Sequence, residues 1–241
     1  MPTTKPTIIL VDPQMGENIG AAARAMHNFG LDELRLVNPR DGWPSANAIT
    51  MDAGALERMQ PVRVFQTLAE AIADLHFVVA TTARPRDMIK PVFTPRGAAT
   101  EINTHTNNNQ KTGIVFGAER MGLINDDIAL CHAIATIPCN PDFSSFNLAQ
   151  AVLLMAYEWM AQNDQTPGHT LNTGDSFPAT QDKCEEFLSR LEFELNQRGF
   201  FRTEEIRPTM KRNIRNIFVR AGITDQEIRT LHGVVSSLIG K

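Results

Sequence analysis

The first segment whose residue types could do chemistry spans positions 16–24 and reads GENIGAAAR. It contains neither the G-x-G-x-x-G of a dinucleotide-binding loop nor the G-x-x-x-x-G-K-[ST] of a P-loop, so both kinds of phosphate site are disfavoured. Its small residues would let a ligand or another backbone approach a helix closely. Gly20 and Arg24 are four residues apart, so they share one side of that helix, away from its apolar stripe. An arginine at this place could bind a phosphate or a hydroxyl. The alternative is an ordinary first helix with a surface arginine.

A second segment, positions 115–123, reads VFGAERMGL and places charged residues and two glycines directly after a predicted strand. Ligands settle at the carboxyl ends of strands in open α/β sheets. Glycines at this place indicate a backbone that bends or passes close to another group. A simple turn with solvated charges is the alternative interpretation.

The third segment, positions 137–151, reads IPCNPDFSSFNLAQA. Ser144, Ser145 and Asn147 stand where a long helix begins, and they offer hydroxyls and an amide beside the unpaired N–H groups of the first helical turn. A serine that merely caps the helix would explain one of these residues but not the group. We therefore favour a ligand site over a simple cap.

A basic region lies later in the chain. Between Arg202 and Arg220, six basic residues stand against two acidic ones, a net charge of +4 in a chain whose formal net charge is -4. Lys211, Arg212 and Arg215 have the three- and four-residue spacings that share one side of a helix. This pattern predicts a phosphate-binding face for RNA, with a solvated helix face as the alternative.

The elements that must position these segments follow a βαβ pattern. Short β-branched runs alternate with helical periodicity, which predicts an α/β fold with a mostly parallel sheet. Gly30 is the predicted end of the first helix, and a capping box from Thr67 to Glu70 opens a short helix that runs to about Leu75. Strands are predicted at positions 7–11, 34–37, 62–65, 77–80, 113–116 and 134–137.

Composition divides the chain into three parts. Residues 1–162 carry the α/β pattern and form the predicted main domain. Residues 163–180 are rich in Gly, Pro, Asn, Thr and Asp and lack an apolar period, which predicts a linker. Residues 181–241 form a predicted helical extension. Its helices are expected at about 182–198, 203–221 and 224–239, the last opening on a capping box at Thr224.

Length and charge exclude several classes of protein. A chain of 241 residues with 42% hydrophobic residues can bury a sizeable core. Its negative net charge argues against a passive nucleic-acid coat, so any RNA contact must be local. The longest apolar stretch, 148–157, is about half of what a bilayer crossing needs, and the apolar run at 8–11 is too short for a signal peptide. We expect no membrane segment and no export.

Metal and disulfide chemistry are also disfavoured. Cys131, Cys139 and Cys184 are odd in number and form no C-x-x-C pair, which indicates reduced thiols in a cytoplasmic protein. The six histidines have no ligand spacing, and no carboxylate cluster predicts a magnesium site. We therefore expect no metal.

Taken together and in this order, the three segments resemble the motifs of the SPOUT RNA ribose 2′-O-methyltransferases, in the branch that acts on cytidine and uridine of bacterial tRNA. The matching patterns are N-x-G-x-x-x-R at 18–24, F-G-x-E-x-x-G-L at 116–123, and I-P at 137–138 leading to S-S-F-N-L-A at 144–149. The segment 78–84, VVATTAR, is also similar to a part of the family that lines the cofactor. Phe146 stands where the family has leucine, and Ala118 where it has a polar residue. The resemblance covers about 7–160, with a looser likeness in the C-terminal helices.

The resemblance implies a parallel sheet whose C-terminal part forms a deep trefoil knot, an exception to the near absence of knots in proteins. It also implies a homodimer whose active sites are assembled across the subunit interface. S-adenosylmethionine (SAM) is the implied methyl donor, and because SAM carries no phosphate, the missing phosphate loop is accounted for. The positions that match the family's cofactor-binding residues are Thr81, Thr82, Ala83, Gly117, Ile137, Ser144, Ser145 and Phe146.

The implied reaction is an in-line displacement in which a ribose 2′-oxygen attacks the methyl group of SAM. The family assigns the residue matching Arg24 to the hydroxyl. Since a guanidinium is very hard to deprotonate, we expect Arg24 to clamp the developing oxyanion and a nearby phosphate rather than to act as a base. Asn18 and Glu119 would shape the site, and Ser145 would contact the cofactor or the target nucleotide. The expected RNA-binding residues are Arg24, Lys211, Arg212 and Arg215.

The implied substrate is tRNA, at the cytidine or uridine in position 32 of the anticodon loop. An rRNA or another tRNA position is the alternative within enzymes, because the motifs indicate the chemistry better than the substrate. The alternative of another class is a non-catalytic RNA-binding protein with the same knotted dimer. The presence of Asn18, Arg24 and the polar group at 144–147 argues against it.

Overall fold

The computed structural model describes residues 4–84, 88–170 and 172–240. Two compact units make up the chain, Met1–Gln165 and Thr166–Lys241. The boundary between them lies within the segment 163–180, in which the described residues contain no helix or strand.

The first unit is built on a parallel sheet, which confirms the predicted α/β class. Among the described residues the sheet has seven strands in the order β3-β2-β1-β6-β4-β7-β5, and every neighbouring pair is parallel. The strands are β1 (Thr7–Val11), β2 (Leu34–Val37), β3 (Arg63–Phe65), β4 (Phe77–Thr81), β5 (Val92–Phe93), β6 (Thr112–Phe116) and β7 (Ala133–Ala135). The sequence did not predict strand β5, because a strand of two residues, one of them exposed, is too short to show a periodic pattern of apolar residues.

Helices cover both faces of the sheet, so the central strands are buried on both sides. Ile8 and Leu10 of β1 pack in one core cluster, whereas Ile9 and Val11 pack in another. This is why β1 consists of apolar residues and threonine without alternation. The first cluster contains residues of α1 (Gly16–Asn28), α2 (Ala46–Met51), α4 (Pro95–Asn107) and α6 (Leu148–Ala161), and the second contains residues of α3 (Leu68–Ile72) and α5 (Asn125–Ala129).

The side of α1 that carries Gly20 differs from the prediction. Gly20 is buried, and a Cβ atom on it would lie 2.0 Å from the carbonyl oxygen of Ala48 in α2. The predicted close approach of another backbone is therefore correct, but Gly20 does not lie on an open side of the helix, because α2 packs against it. Arg24 itself is exposed. Gly30 follows the helix with a φ of 75°, as predicted for a residue in the left-handed region.

The predicted capping box at Thr67 is half formed. The Thr67 hydroxyl accepts a hydrogen bond from the backbone N–H of Glu70, but the Glu70 carboxylate accepts from the backbone N–H of Gln66 instead of that of Thr67. Helix α3 ends at Ile72, earlier than predicted.

The second unit contains three helices in its described part: α7 (Gln181–Gln197), α8 (Arg207–Ala221) and α9 (Asp225–Leu238). The predicted capping box at Thr224 is fully formed with Glu227. Helix α8 begins four residues later than predicted. The core of this unit consists of Phe187, Leu188, Ile223, Ile228 and Val235.

Candidate active site

Four neighbouring strands end at the edge of the sheet that carries the predicted chemistry. In the order β1-β6-β4-β7, each strand is parallel to the next, so their carboxyl ends lie side by side. The segments that follow them are 12–15, 117–124, 82–84 and 136–147. The three motifs predicted from the sequence therefore meet at one edge, where ligands bind in open α/β sheets.

A cleft of about 250 Å³ opens between the segments that follow β6, β4 and β7. All eight positions predicted to bind the cofactor line it, namely Thr81, Thr82, Ala83, Gly117, Ile137, Ser144, Ser145 and Phe146. Glu119, which was predicted to shape the site, also lines the cleft, and nine further lining residues were not among the eight predicted cofactor positions: Arg84, Phe116, Ala118, Arg120, Met121, Gly122, Ala135, Leu148 and Ala151. Several of these are apolar residues that read as ordinary core positions. The walls combine an apolar slot with a small number of polar groups, as is usual for small-molecule sites.

Glycine permits the tight turn that forms one wall. A Cβ atom on Gly117 would lie 2.2 Å from the carbonyl carbon of Gly122 and 2.2 Å from the backbone nitrogen of Leu123. The Gly122 N–H donates to the Ala118 carbonyl at 2.8 Å, and Gly122 has a φ of 68°. The sequence prediction of a backbone that passes close to another group is thus correct, and that other group is the turn itself.

Threonine hydroxyls tie the cleft walls together. Thr81 donates from its hydroxyl to the Val115 carbonyl at 2.8 Å, and Thr136 donates to the Thr82 carbonyl at 3.1 Å. The Thr82 N–H donates to the Ala135 carbonyl at 3.1 Å. These bonds join β4, β6 and β7 at the cleft floor, so the cleft is held in shape by the fold.

A polar relay links the three motifs. The Asn147 amide donates to the Asn18 side-chain oxygen at 2.9 Å, and the Asn18 amide donates to the Glu119 carboxylate at 2.8 Å. That carboxylate also accepts the backbone N–H groups of Gln14 at 2.8 Å and Met15 at 3.3 Å. One residue from each motif is therefore joined in a single chain of hydrogen bonds.

The direction of this relay is set by helix α6. The Asn147 side-chain oxygen accepts the backbone N–H of Ala149 at 2.9 Å, and Asn147 forms a capping box with Gln150. Because the side-chain oxygen of Asn147 is used in this cap, the amide nitrogen of Asn147 is the group that donates to Asn18. The alternative in which a serine caps this helix is wrong, because Asn147 is the cap. The prediction grouped Asn147 with the two serines but could not connect it to Asn18, which is 129 residues away in the chain.

Arg24 stands apart from the other predicted catalytic residues. Asn18 and Glu119 are in contact, and Ser145 lines the cleft. Arg24 is exposed on α1, does not line the cleft, and has no polar partner among the residues that the structure describes. Within one chain, the structure does not bring the arginine to the cleft.

Two ionisable groups in and just after α5 have shifted pKa values. Burial raises the pKa of Cys131 to about 12, which keeps this thiol protonated and unreactive. Burial also raises the pKa of Asp127, with the charges of Asp12 and Asp126 adding to the effect. In the described parts of the chain no group of three or more His, Cys, Asp and Glu residues could hold a metal ion. No helix there is long and apolar enough to span a membrane.

The basic face predicted on α8 is only partly free. Lys211 Nζ lies 3.1 Å from Glu192 Oε2, and Arg215 Nε lies 2.6 Å from Glu192 Oε1. Arg215 Nη2 also donates to Glu185 at 2.9 Å, and hydrogen bonds to these two carboxylates raise the pKa of the Arg215 guanidinium. Arg212 is exposed and donates to the Thr209 hydroxyl. Lys211 and Arg215 therefore pair with carboxylates of α7, whereas Arg212 does not, and RNA binding by these three residues stays a prediction.

Comparison with known proteins identifies the family. A family model described as the SpoU rRNA Methylase family matches residues 5–157. This chain belongs to the SpoU methylase family. The resemblance noted in the three motifs is thereby confirmed.

Relatives of this SpoU family member match along nearly its whole length. The tRNA (cytidine/uridine-2'-O-)-methyltransferase TrmJ of Photorhabdus laumondii is 37% identical over 235 residues, which cover 96% of this chain and 95% of the relative. The crystal structure of TrmJ from Z. mobilis ZM4 is 49% identical, with a TM-score of 0.86, over 98% of this chain and 99% of that one. The SpoU methyltransferase AviRb from Streptomyces viridochromogenes, solved in complex with the cofactor AdoMet, is 20% identical with a TM-score of 0.53 over 65% of this chain and 57% of its own, and it shares the fold.

Proposed function

We propose that this protein transfers the methyl group of SAM to a ribose 2′-oxygen of tRNA, at the cytidine or uridine in position 32 of the anticodon loop. The observation that carries the proposal is one cleft lined by residues of the second and third motifs and of the segment 81–84, to which the first motif is joined by the relay of Asn147, Asn18 and Glu119. The TrmJ relatives support tRNA as the substrate. We expect the protein to act in the cytoplasm, where tRNA is modified.

The cleft suits SAM in its chemistry. SAM has an adenine, a sulfonium, an amine and a carboxylate but no phosphate, so it needs an apolar slot and scattered polar groups rather than a glycine-rich phosphate cradle. The slot would be formed by Ile137 and Phe146, and the polar contacts by Thr82, Ser144 and backbone groups at Gly117. When bound, SAM supplies an electrophilic methyl group whose leaving group is already activated by its positive charge.

The protein must then position the ribose hydroxyl and assist loss of its proton. We assign the positioning of the oxygen to Arg24, whose forked guanidinium can hold the developing oxyanion and a neighbouring phosphate together. Ser145 is exposed at the cleft and would contact the nucleotide or the cofactor. Asn18 and Glu119 would hold the loops of the three motifs in fixed positions relative to one another.

A homodimer explains how Arg24 reaches a cleft that it does not line in its own chain. Helix α6 is apolar on both sides, with Leu153 and Tyr157 exposed on the face opposite the core. Tyr157 packs edge-on against Phe29, which follows α1, with ring centroids 5.8 Å apart. We propose that a second copy covers this surface and contributes its Arg24 to the cleft.

The deep trefoil knot is part of the same proposal. In support of it, residues 137 and 144–146 line one cleft with residues 117–122 and 81–84, as they would in a knotted cofactor site. A crystal structure with bound SAM would test the knot, the dimer and the position of Arg24 together. A monomer with Arg24 remote from the cofactor would refute the shared site.

RNA contact on the second unit is proposed for Arg212, with Lys211 and Arg215 mainly holding α8 to α7. Arg212→Ala should weaken tRNA binding and lower the slope of log affinity against log salt by about 0.7–0.9, because one phosphate contact is lost. Arg215→Ala should instead lower the unfolding temperature, because Glu192, whose side chain is 7% exposed, loses a partner. If Arg215→Ala weakened tRNA binding with no loss of stability, the result would favour the sequence prediction that Arg215 binds RNA.

Nucleoside mass spectrometry of tRNA and rRNA, from cells with and without the gene, tests the function. Loss of 2′-O-methylation at position 32 of tRNA is expected on deletion, with recovery by the wild-type chain but not by Arg24→Ala. Arg24→Ala should still show thermal stabilisation by SAM, because it leaves the cofactor cleft intact. Loss confined to rRNA would contradict the tRNA assignment. No stabilisation of the wild-type chain by SAM would favour a non-catalytic RNA-binding protein.

A further inference from the structure

Phe143 is a large aromatic residue that points into solvent next to the cleft. The residue is 77% exposed, and it immediately precedes Ser144 and Ser145, which line the cleft. The chain around it is not extended freely into solvent. The Phe143 N–H donates to the Asn140 carbonyl at 3.0 Å, and the Asp142 N–H donates to the Asn140 side-chain oxygen at 3.0 Å. A turn with two hydrogen bonds therefore carries the ring at this place.

The surroundings of Phe143 do not resemble a protein–protein contact. The turn before it consists of Asn140, Pro141 and Asp142, two of them polar, and the two residues after it are serines. The exposed apolar side chains of α6, Leu153 among them, belong to a different element and form the surface assigned above to a second copy. An isolated ring bordered by polar groups lacks the continuous apolar area of a protein interface.

We propose that the Phe143 ring stacks on the base of the nucleotide whose ribose is methylated. This inference rests on the proposed function and adds a substrate contact to it. A ribose whose 2′-oxygen reaches the cleft brings its base to the rim of that cleft, and a loop nucleotide that leaves its stack gains a new partner by stacking on an aromatic side chain. Phe143 is an aromatic residue of suitable exposure directly beside the cleft-lining serines.

A phenyl ring has no hydrogen-bonding group, so stacking recognises the face of a base and not its edge. The contact would consequently hold cytidine and uridine equally well. Phe143 would contribute affinity for an unstacked base at the target position, and any choice between the two pyrimidines would come from other residues.

The test compares Phe143→Ala with Phe143→Tyr and Phe143→Leu in full-length protein. Phe143→Ala should lower kcat/KM for tRNA by about 5- to 140-fold, since one stacked base is worth about 1–3 kcal/mol and each 1.4 kcal/mol is a factor of ten. Phe143→Tyr keeps the aromatic face and should stay close to wild type, whereas Phe143→Leu should behave like Phe143→Ala. SAM affinity should not change in any of them. Phe177→Ala is the matched control, because Phe177 is 78% exposed but lies in the second unit.

The decisive measurement uses a tRNA that is abasic at the methylated position and retains its ribose. On this substrate the wild-type chain and Phe143→Ala should have the same kcat/KM, because there is no base to stack. An equal loss on the intact and abasic substrates, a parallel loss of SAM affinity, dissociation of a dimer by Phe143→Ala, or an equal effect of Phe177→Ala would each overturn the proposal. If the wild-type chain does not methylate tRNA, the proposed function itself is refuted. If the wild-type chain methylates tRNA and Phe143→Ala does so equally well, only the stacking proposal is refuted.

Discussion

Replacing Glu119 by glutamine would test whether the polar relay holds the three motif loops together. The carboxylate accepts three N–H groups, from the backbones of Gln14 and Met15 and from the amide of Asn18. Glutamine keeps one acceptor oxygen and replaces the other by an NH₂ group. In one orientation that NH₂ faces the Gln14 N–H, and in the other it faces the Asn18 amide and the Met15 N–H.

Reversing the asparagine amides cannot repair this conflict. The Asn147 oxygen is required by the N–H of Ala149, so Asn147 must donate to Asn18, and Asn18 must donate to position 119. Every arrangement leaves at least one donor facing another donor or breaks the cap of α6. An unsatisfied buried group costs about 1–3 kcal/mol, and since Met15 and Asn147 are exposed to water we expect Glu119→Gln to lower the free energy of unfolding by about 1–2 kcal/mol.

Urea unfolding and calorimetric titration with SAM would measure the effect. SAM affinity should fall by about 5- to 30-fold if the same energy is lost from the bound state. Glu57→Gln is the control, because it removes the same charge from an exposed residue with no polar partner in the described part of the chain. If Glu119→Gln matched Glu57→Gln within about 0.5 kcal/mol in unfolding and in SAM binding, the relay would contribute nothing and the reasoning would be refuted.

Two further predictions concern the turn and one histidine. Gly117→Ala should weaken SAM binding by about 5- to 140-fold in the same titration, because its Cβ would clash with backbone atoms at 2.2 Å and overpacking costs about 1–3 kcal/mol; Gly97→Ala, with its nearest contact at 3.5 Å, should be neutral. Burial, with Lys90 and His105 nearby, lowers the pKa of His132, whose Nδ1 accepts the N–H of Val78. As the pH falls, His132 therefore takes up its proton at a higher pH in the unfolded chain than in the folded chain. The contribution of His132 to stability is present above about pH 6.5 and is lost as the pH falls through the lowered folded pKa. Urea unfolding from about pH 5 to about pH 8 should show a weaker pH dependence in His132→Gln, and an unchanged dependence would contradict the assignment.

The sequence by itself determined the class of fold and the segments that form the cleft. Strands buried on both faces consist of apolar and β-branched runs, so β1, β2, β4 and β6 could be located from composition and periodicity. Parallel strands place their carboxyl ends at one edge, which is why motifs far apart in the chain meet there. Glycine at 117 signalled a close backbone approach because few other residues tolerate one.

Only the tertiary structure decided which polar groups find one another. The link from Asn147 to Asn18, the close approach of Ala48 to Gly20, and the pairing of Arg215 with Glu192 each depend on an element that packs from a distant part of the chain. Periodicity predicts which residues share a side of a helix, but it does not predict what lies opposite that side. For charged groups the opposite element is decisive, because the same arginine is a free phosphate ligand in water and a structural ion pair beside a buried carboxylate.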